Sequence, residues 1–146
     1  MAFWVGVVGF VASLAVHFAT FTDYAPPGAV IVLHVGIFVA FVPVVFAVKT
    51  WAEGRDYDFS DFGSQWAFQK DLLSLIPGWQ KVAVVLLMTY AAINFFLEVT
   101  PIVEDANGGF SFRGFSGHWL FFYFVSAVFA RRFLAIRQQV VPPHEV

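Results

Sequence analysis

The 146-residue sequence contains long apolar stretches, and only a few side chains in or beside them are of types that bind cofactors or catalyse reactions. His17 and His34 lie inside two such stretches, and His118 and Glu98 lie near the edges of two others. Imidazole nitrogens and carboxylate oxygens together bind zinc, copper and iron. The sequence therefore offers one candidate set of transition-metal ligands, namely His17, His34, His118 and Glu98.

A b-type haem is an alternative ligand for the first two histidines. Such a haem needs two imidazoles that face each other across the iron from neighbouring helices. If His17 and His34 lie on two helices joined by a short turn, a rise of 1.5 Å per residue places both roughly 7–8 Å below the same membrane boundary. Arg113 lies at that same boundary and could pair with a haem propionate, so the candidate haem-binding residues are His17, His34 and Arg113.

A third interpretation gives these histidines no ligand. In hydrocarbon, a polar side chain needs a hydrogen-bond partner, and a neighbouring helix can supply one. Hydrogen bonds between membrane helices contribute on the order of 0.6 kcal/mol each. Asn94 is expected at a depth similar to that of His17 and His34, so it is a further member of such a network. The residue types leave all three interpretations open.

The rest of the sequence contains no recognisable catalytic arrangement. It has no cysteine, which excludes disulfides, thiolate metal ligands and cysteine nucleophiles. A phosphate-binding loop, a GxSxG elbow, an HExxH motif and a paired-carboxylate arrangement are all missing from it. This favours a protein without catalytic activity, and an enzyme built on the histidine site is the third alternative, after a redox or metal-binding protein.

The composition identifies the kind of structure that must position these residues. The chain is 60% hydrophobic and 12% charged, with a mean hydropathy of +0.76. A soluble domain usually carries roughly 25% charged residues, so the expected partner of this surface is a lipid bilayer. The length fits a single domain over residues 1–146, and the net charge of −2 argues against a nucleic-acid partner.

Four apolar stretches approach the ~20 residues that a transmembrane helix needs. They lack the alternation of a barrel strand, and the sequence therefore predicts an all-α integral membrane protein with four transmembrane helices in an up-down bundle. Gly6, Gly9 and Ser13 form a strip of small residues that predicts a close helix contact. The predicted spans are residues 3–22, 29–48, 81–100 and 117–136.

The basic residues predict the orientation of these helices. Seven of the eight Lys and Arg residues fall on one side, and only Arg113 falls on the other. By the positive-inside rule, both termini and the 49–80 loop are then cytoplasmic, as in a protein of a bacterial inner membrane. The connections 23–28 and 101–116 are expected on the outside.

The 49–80 loop contains one further predicted element. Between residues 64 and 76, apolar side chains fall mostly on one helical face, and Gln69, Lys70 and Asp71 fall on the other. This pattern predicts a short amphipathic helix on the cytoplasmic membrane surface. It would serve as an interfacial anchor or as a docking surface for a partner protein.

These features favour a non-catalytic membrane protein that is a small subunit or accessory protein of a larger membrane complex. Its expected partners are other membrane protein subunits. The alternative is a small redox or metal-binding membrane protein that carries a haem or a metal between His17 and His34.

Overall fold

The computed structural model describes residues 1–22, 28–99 and 112–140. Of these residues, 88% are helical and none lies in a strand. A short 3₁₀ turn, Thr20–Thr22, extends the first helix. In chain order the α-helices are α1 (Ala2–Ala19), α2 (Ala29–Ala52), α3 (Phe62–Ser74), α4 (Gly78–Val99) and α5 (Phe112–Val140).

The prediction of four long apolar helices is confirmed, because α1, α2, α4 and α5 are each long and apolar enough to cross a membrane. Three of them extend beyond the predicted spans by three residues or more: α2 continues to Ala52, α4 begins at Gly78, and α5 runs from Phe112 to Val140. The predicted ends mark where apolar residues stop, whereas a helix continues through polar residues until its backbone is interrupted. Of the two predicted outer connections, residues 23–27 and 100–111 lie outside the described residues, and 112–116 belong to α5.

Helix α5 is the centre of the bundle. Of its apolar segment 44% is buried, compared with 22%, 17% and 11% for the segments of α1, α2 and α4. Helices α1, α2 and α4 all pack against α5, and α1 also packs against α2. The long helix with the most aromatic residues is therefore the one against which the other three pack.

Glycines on α1 allow α5 to approach closely, which confirms the predicted helix contact. A Cβ added at Gly6 would lie 2.8 Å from the backbone nitrogen of Ala127, and one added at Gly9 would overlap the Tyr123 ring. Ser13, the third member of the strip, is fully buried. Because residue 6 meets residue 127 and residue 9 meets residue 123, α1 and α5 run in opposite directions.

Helix α3 both begins and ends two residues earlier than the predicted helix over 64–76. Asp61 caps its first turn by accepting a 2.7 Å hydrogen bond from the Ser64 backbone nitrogen. Its final residues, together with Ile76, bring apolar side chains to the bundle, where Leu72 and Leu73 pack beside the buried Ile76. Trp66, which the pattern places on the apolar face, is 63% exposed.

The two ends of the bundle differ in their residues, and we name them accordingly. The histidine end contains His17 and His34, and the neighbouring core cluster comprises Leu33, Ala40, Trp119 and Tyr123. The arginine end contains Lys49, Arg131 and Arg137. Its core cluster is made of apolar residues contributed by α2, α4, α5 and the end of the loop: Val44, Ile76, Val84, Val128, Phe129 and Ala130.

Candidate functional site

His17 joins three helices at the histidine end. Its side chain is buried on α1. The ring Nδ1 lies 2.6 Å from Ser116 Oγ on α5, and the ring Nε2 lies 2.5 Å from the Tyr90 hydroxyl on α4. A neutral imidazole has one donor and one acceptor nitrogen, and a hydroxyl can serve either. Both ring nitrogens of His17 are therefore engaged by side chains of the protein.

His34 makes a corresponding contact between α2 and α5. Trp119 Nε1 donates a 3.2 Å hydrogen bond to His34 Nδ1, and the two rings meet edge-on with centroids 5.4 Å apart. Trp119 is fully buried, so its N–H depends on this partner. A neutral imidazole that accepts at Nδ1 carries its own proton on Nε2. This hydrogen bond thus selects the tautomer that offers no lone pair at Nε2.

His118 lies on α5 and contacts α4. Its ring meets the Phe95 ring edge-on, with centroids 5.1 Å apart. One residue earlier, a Cβ added at Gly117 would lie 3.2 Å from Ala91 Cα and 3.4 Å from Asn94 Nδ2. The predicted Asn94 therefore lies at the contact between α4 and α5. Glu98 and Arg113 lie on these two helices, but their side chains are outside the described part of the chain.

The sequence did not identify the partners of the predicted histidines. Ser116, Trp119 and Tyr123 lie on one face of α5 at spacings of three and four residues, and all three bond to α1 or α2. The Tyr123 hydroxyl donates a 2.8 Å hydrogen bond to the Leu33 carbonyl. A stripe of polar and amphipathic residues at helical spacing within an apolar stretch is the signal that could have revealed them.

The geometry of the site bears on its possible ligands. A metal or haem iron needs an imidazole nitrogen with an available lone pair. His17 would have to give up its bond to Ser116 or Tyr90, and His34 would have to reverse its tautomer and lose the Trp119 bond. Among the described residues, no three His, Asp or Glu side chains are grouped closely enough to hold a metal ion. The metal set and the haem pair remain predictions, and the observed contacts favour the histidines as links between helices.

Polar groups also cluster in the segment before α3. The Tyr57 hydroxyl donates a 2.8 Å hydrogen bond to the Asp71 carboxylate, and desolvation together with this bond raises the pKa of Tyr57. Ser60 donates from its backbone nitrogen and its hydroxyl to Asp58, which lowers the pKa of that carboxyl. These bonds fold the loop onto α3 and leave its acidic groups at the surface.

Comparison with known proteins adds no family to this description: the chain matches no protein-family model, no curated protein and no solved structure.

Proposed function

We propose that α1, α2, α4 and α5 cross a bacterial inner membrane in up-down order, with both termini and the 49–80 loop in the cytoplasm. We also propose that the chain is a small non-catalytic subunit of a larger membrane assembly. The length and apolar composition of the four helices support the first proposal, and the uneven distribution of Lys and Arg supports its orientation. The surface of α4 carries the second proposal.

Helix α4 is the least enclosed of the four long helices. Only 11% of its apolar segment is buried, and its main neighbour is α5. The rest of its surface presents large apolar side chains, of which Leu86, Phe96 and Leu97 are exposed by 63%, 68% and 68%. One helix of the bundle is therefore available over most of its circumference for a contact with another protein.

A shallow cleft of about 430 Å³ lies on this surface of α4. Two of its lining residues are small, Thr89 and Ala92, and they lie among the larger Met88, Ile93 and Phe96. Small residues allow the backbones of membrane helices to approach each other, and larger neighbours form the hole that receives a side chain of the partner. A surface with small residues among large ones is better suited to contact a helix of another protein than to contact lipid.

Photo-crosslinking can distinguish a protein contact from a lipid contact on this surface. Phe96 on α4 and Phe38 on α2 are matched positions, because both are phenylalanines and their side chains are exposed by 68% and 66%. With a photoreactive phenylalanine analogue at each position in intact cells, we expect a discrete protein adduct from position 96 and none from position 38. Equal adducts at both positions would contradict a specific contact through α4.

The cleft itself is tested by filling it. Ala92→Phe should abolish the adduct formed from position 96 and should shift the complex to a smaller size in native sizing after mild detergent extraction. Val39→Phe on α2, where Val39 is 47% exposed, is the matched control and should leave both readouts unchanged. A wild-type protein that runs as a monomer in several mild detergents would overturn the proposal. So would an adduct of only twice the 16.3 kDa chain mass, because it would identify the partner as a second copy.

An absorption spectrum and metal analysis of the same purified sample test the alternative function. A Soret band or a bound metal that is lost in His17→Ala and in His34→Ala would favour the cofactor role over the subunit role. An unchanged cofactor signal in both variants would exclude this pair of ligands.

A further inference from the structure

A cleft of about 670 Å³ lies at the arginine end, apart from the histidine cluster and from the surface of α4. It lies where the N-terminal end of α1, the last three turns of α2 and the last part of α5 meet. Clefts of roughly 300–1,000 Å³ are of the size that binds small molecules.

The walls of this cleft are apolar along most of its length. On α2 it is lined by Pro43, Ala47 and Thr50, and on α5 by Ala130, Phe133 and Arg137. In each set the first and last residues are seven residues apart on one helical face, which corresponds to a groove roughly 10 Å long at 1.5 Å per residue. The deep part of the groove is apolar on both sides, so it can accept a hydrocarbon chain.

Polar residues gather at one end of the groove. Of the residues that line the groove, Thr50 and Trp51 are the last on α2, and Arg137 is the last on α5. Threonine hydroxyl, indole N–H and guanidinium groups are all hydrogen-bond donors. Among the described residues that line the groove, Arg137 carries the only charged side chain.

The charge of Arg137 is not neutralised by the described part of the protein. The one ion pair found there joins Lys49 to Glu53 at 3.9 Å, and it involves neither Arg137 nor the neighbouring Arg131. Arginine forms strong paired hydrogen bonds with phosphate oxygens. The mouth of the groove therefore complements an anionic group, and its depth complements a hydrocarbon chain.

From this combination we infer that the cleft binds an anionic phospholipid, with the phosphate at Arg137 and part of an acyl chain between α2 and α5. Basic clefts between membrane helices bind acidic lipid headgroups at the cytoplasmic side of membranes. A water-soluble phosphate would use only the mouth and would leave the apolar groove without a role, so the source of the phosphate is a lipid.

The inference can be tested with protein purified in detergent, by native mass spectrometry with added dioleoylphosphatidylglycerol or dioleoylphosphatidylcholine. We expect one tightly bound phosphatidylglycerol per chain, with about tenfold weaker binding of phosphatidylcholine. Arg137→Gln should remove this preference. Arg131→Gln is the matched control, because Arg131 is an exposed arginine on the same helix that does not line the cleft, and it should change binding by less than about twofold.

A second variant tests the groove instead of its mouth. Ala47→Phe places a ring between the two walls and should weaken the binding of both lipids, provided that far-UV circular dichroism and size-exclusion chromatography match the wild type. If Ala47→Phe does not fold, the pair of arginine variants still decides the question. Equal loss of binding in Arg131→Gln and Arg137→Gln would overturn the inference in favour of a general surface-charge effect. Full competition by millimolar glycerol 3-phosphate would overturn it in favour of a soluble phosphate.

Discussion

Different interactions hold the helices together at the two ends of the bundle. At the histidine end, side-chain hydrogen bonds link His17 to α4 and α5, and link His34 to α5. At the arginine end, the cluster around Phe129 brings α2, α4 and α5 together through apolar side chains. Between them, Gly6 and Gly9 let α1 approach α5 closely.

In the proposed transmembrane arrangement the difference matters, because hydrocarbon removes most of the hydrophobic effect as a force between helices. Lipid chains are as apolar as leucine, so close packing and hydrogen bonds must supply the stability. Packing depends on matched shapes over many atoms, whereas each hydrogen bond fixes one pair of groups at one register. We therefore expect the arginine end to contribute more stability, and the histidine end to determine more of the helix register.

The largest expected effect comes from a cavity at the arginine end. Phe129 is only 4% exposed, and Phe129→Ala should lower the free energy of unfolding by about 3 kcal/mol, because the surrounding helices cannot fully close the space. Titration with sodium dodecyl sulfate, followed by far-UV circular dichroism, measures the change. Phe38→Ala, at a side chain that is 66% exposed, should change stability by less than about 0.5 kcal/mol. Similar losses in both variants would show that this cluster is not a packed core.

The opposite perturbation, an added side chain, tests the contact of α1 with α5. Gly6→Leu should destabilise the protein by about 2 kcal/mol, because even a Cβ there would meet the Ala127 backbone at 2.8 Å. Ala15→Leu on the exposed side of the same helix is the control and should be close to neutral. The same titration measures both. A neutral Gly6→Leu would mean that the two helices do not pack as closely as their glycines allow.

The helices of this protein can be predicted from its sequence, whereas the way they pack against each other cannot. The four long helices and α3 follow from apolar stretches and turn residues, and the start of α3 differs only because Asp61 caps it at Ser64. The central position of α5 does not follow, because the stripe of Ser116, Trp119 and Tyr123 marks a face that contacts other helices but does not say which helices, or how many, pack against it. The partners of His17 are likewise hidden, since Tyr90 and Ser116 lie 73 and 99 residues away in the chain.

At the histidine end, the expected effect of removing a hydrogen-bonded side chain is smaller. His17→Ala should cost about 1–2 kcal/mol, because it removes two interhelical hydrogen bonds and opens a small cavity. A double-mutant cycle with Tyr90→Phe isolates one of these bonds, and its coupling energy should be about 0.6 kcal/mol. His118→Ala, at a half-buried residue of the same end, should cost less. No coupling between His17 and Tyr90 would contradict the role of His17 as a link between helices.

The smallest expected loss of stability comes from the removal of a single hydroxyl group. Tyr123 donates a 2.8 Å hydrogen bond to the Leu33 carbonyl, and its ring packs beside Gly9 and Gly36. Tyr123→Phe keeps the ring and removes only this bond, and we expect a loss of about 0.6 kcal/mol, because the Leu33 carbonyl keeps its partner within α2. Tyr123→Leu also removes the ring that fills the space beside both glycines, so it should cost several times more in the same titration. If Tyr123→Phe were as damaging as Phe129→Ala, hydrogen bonds would contribute as much stability as packing, and the proposed division between the two ends would be wrong.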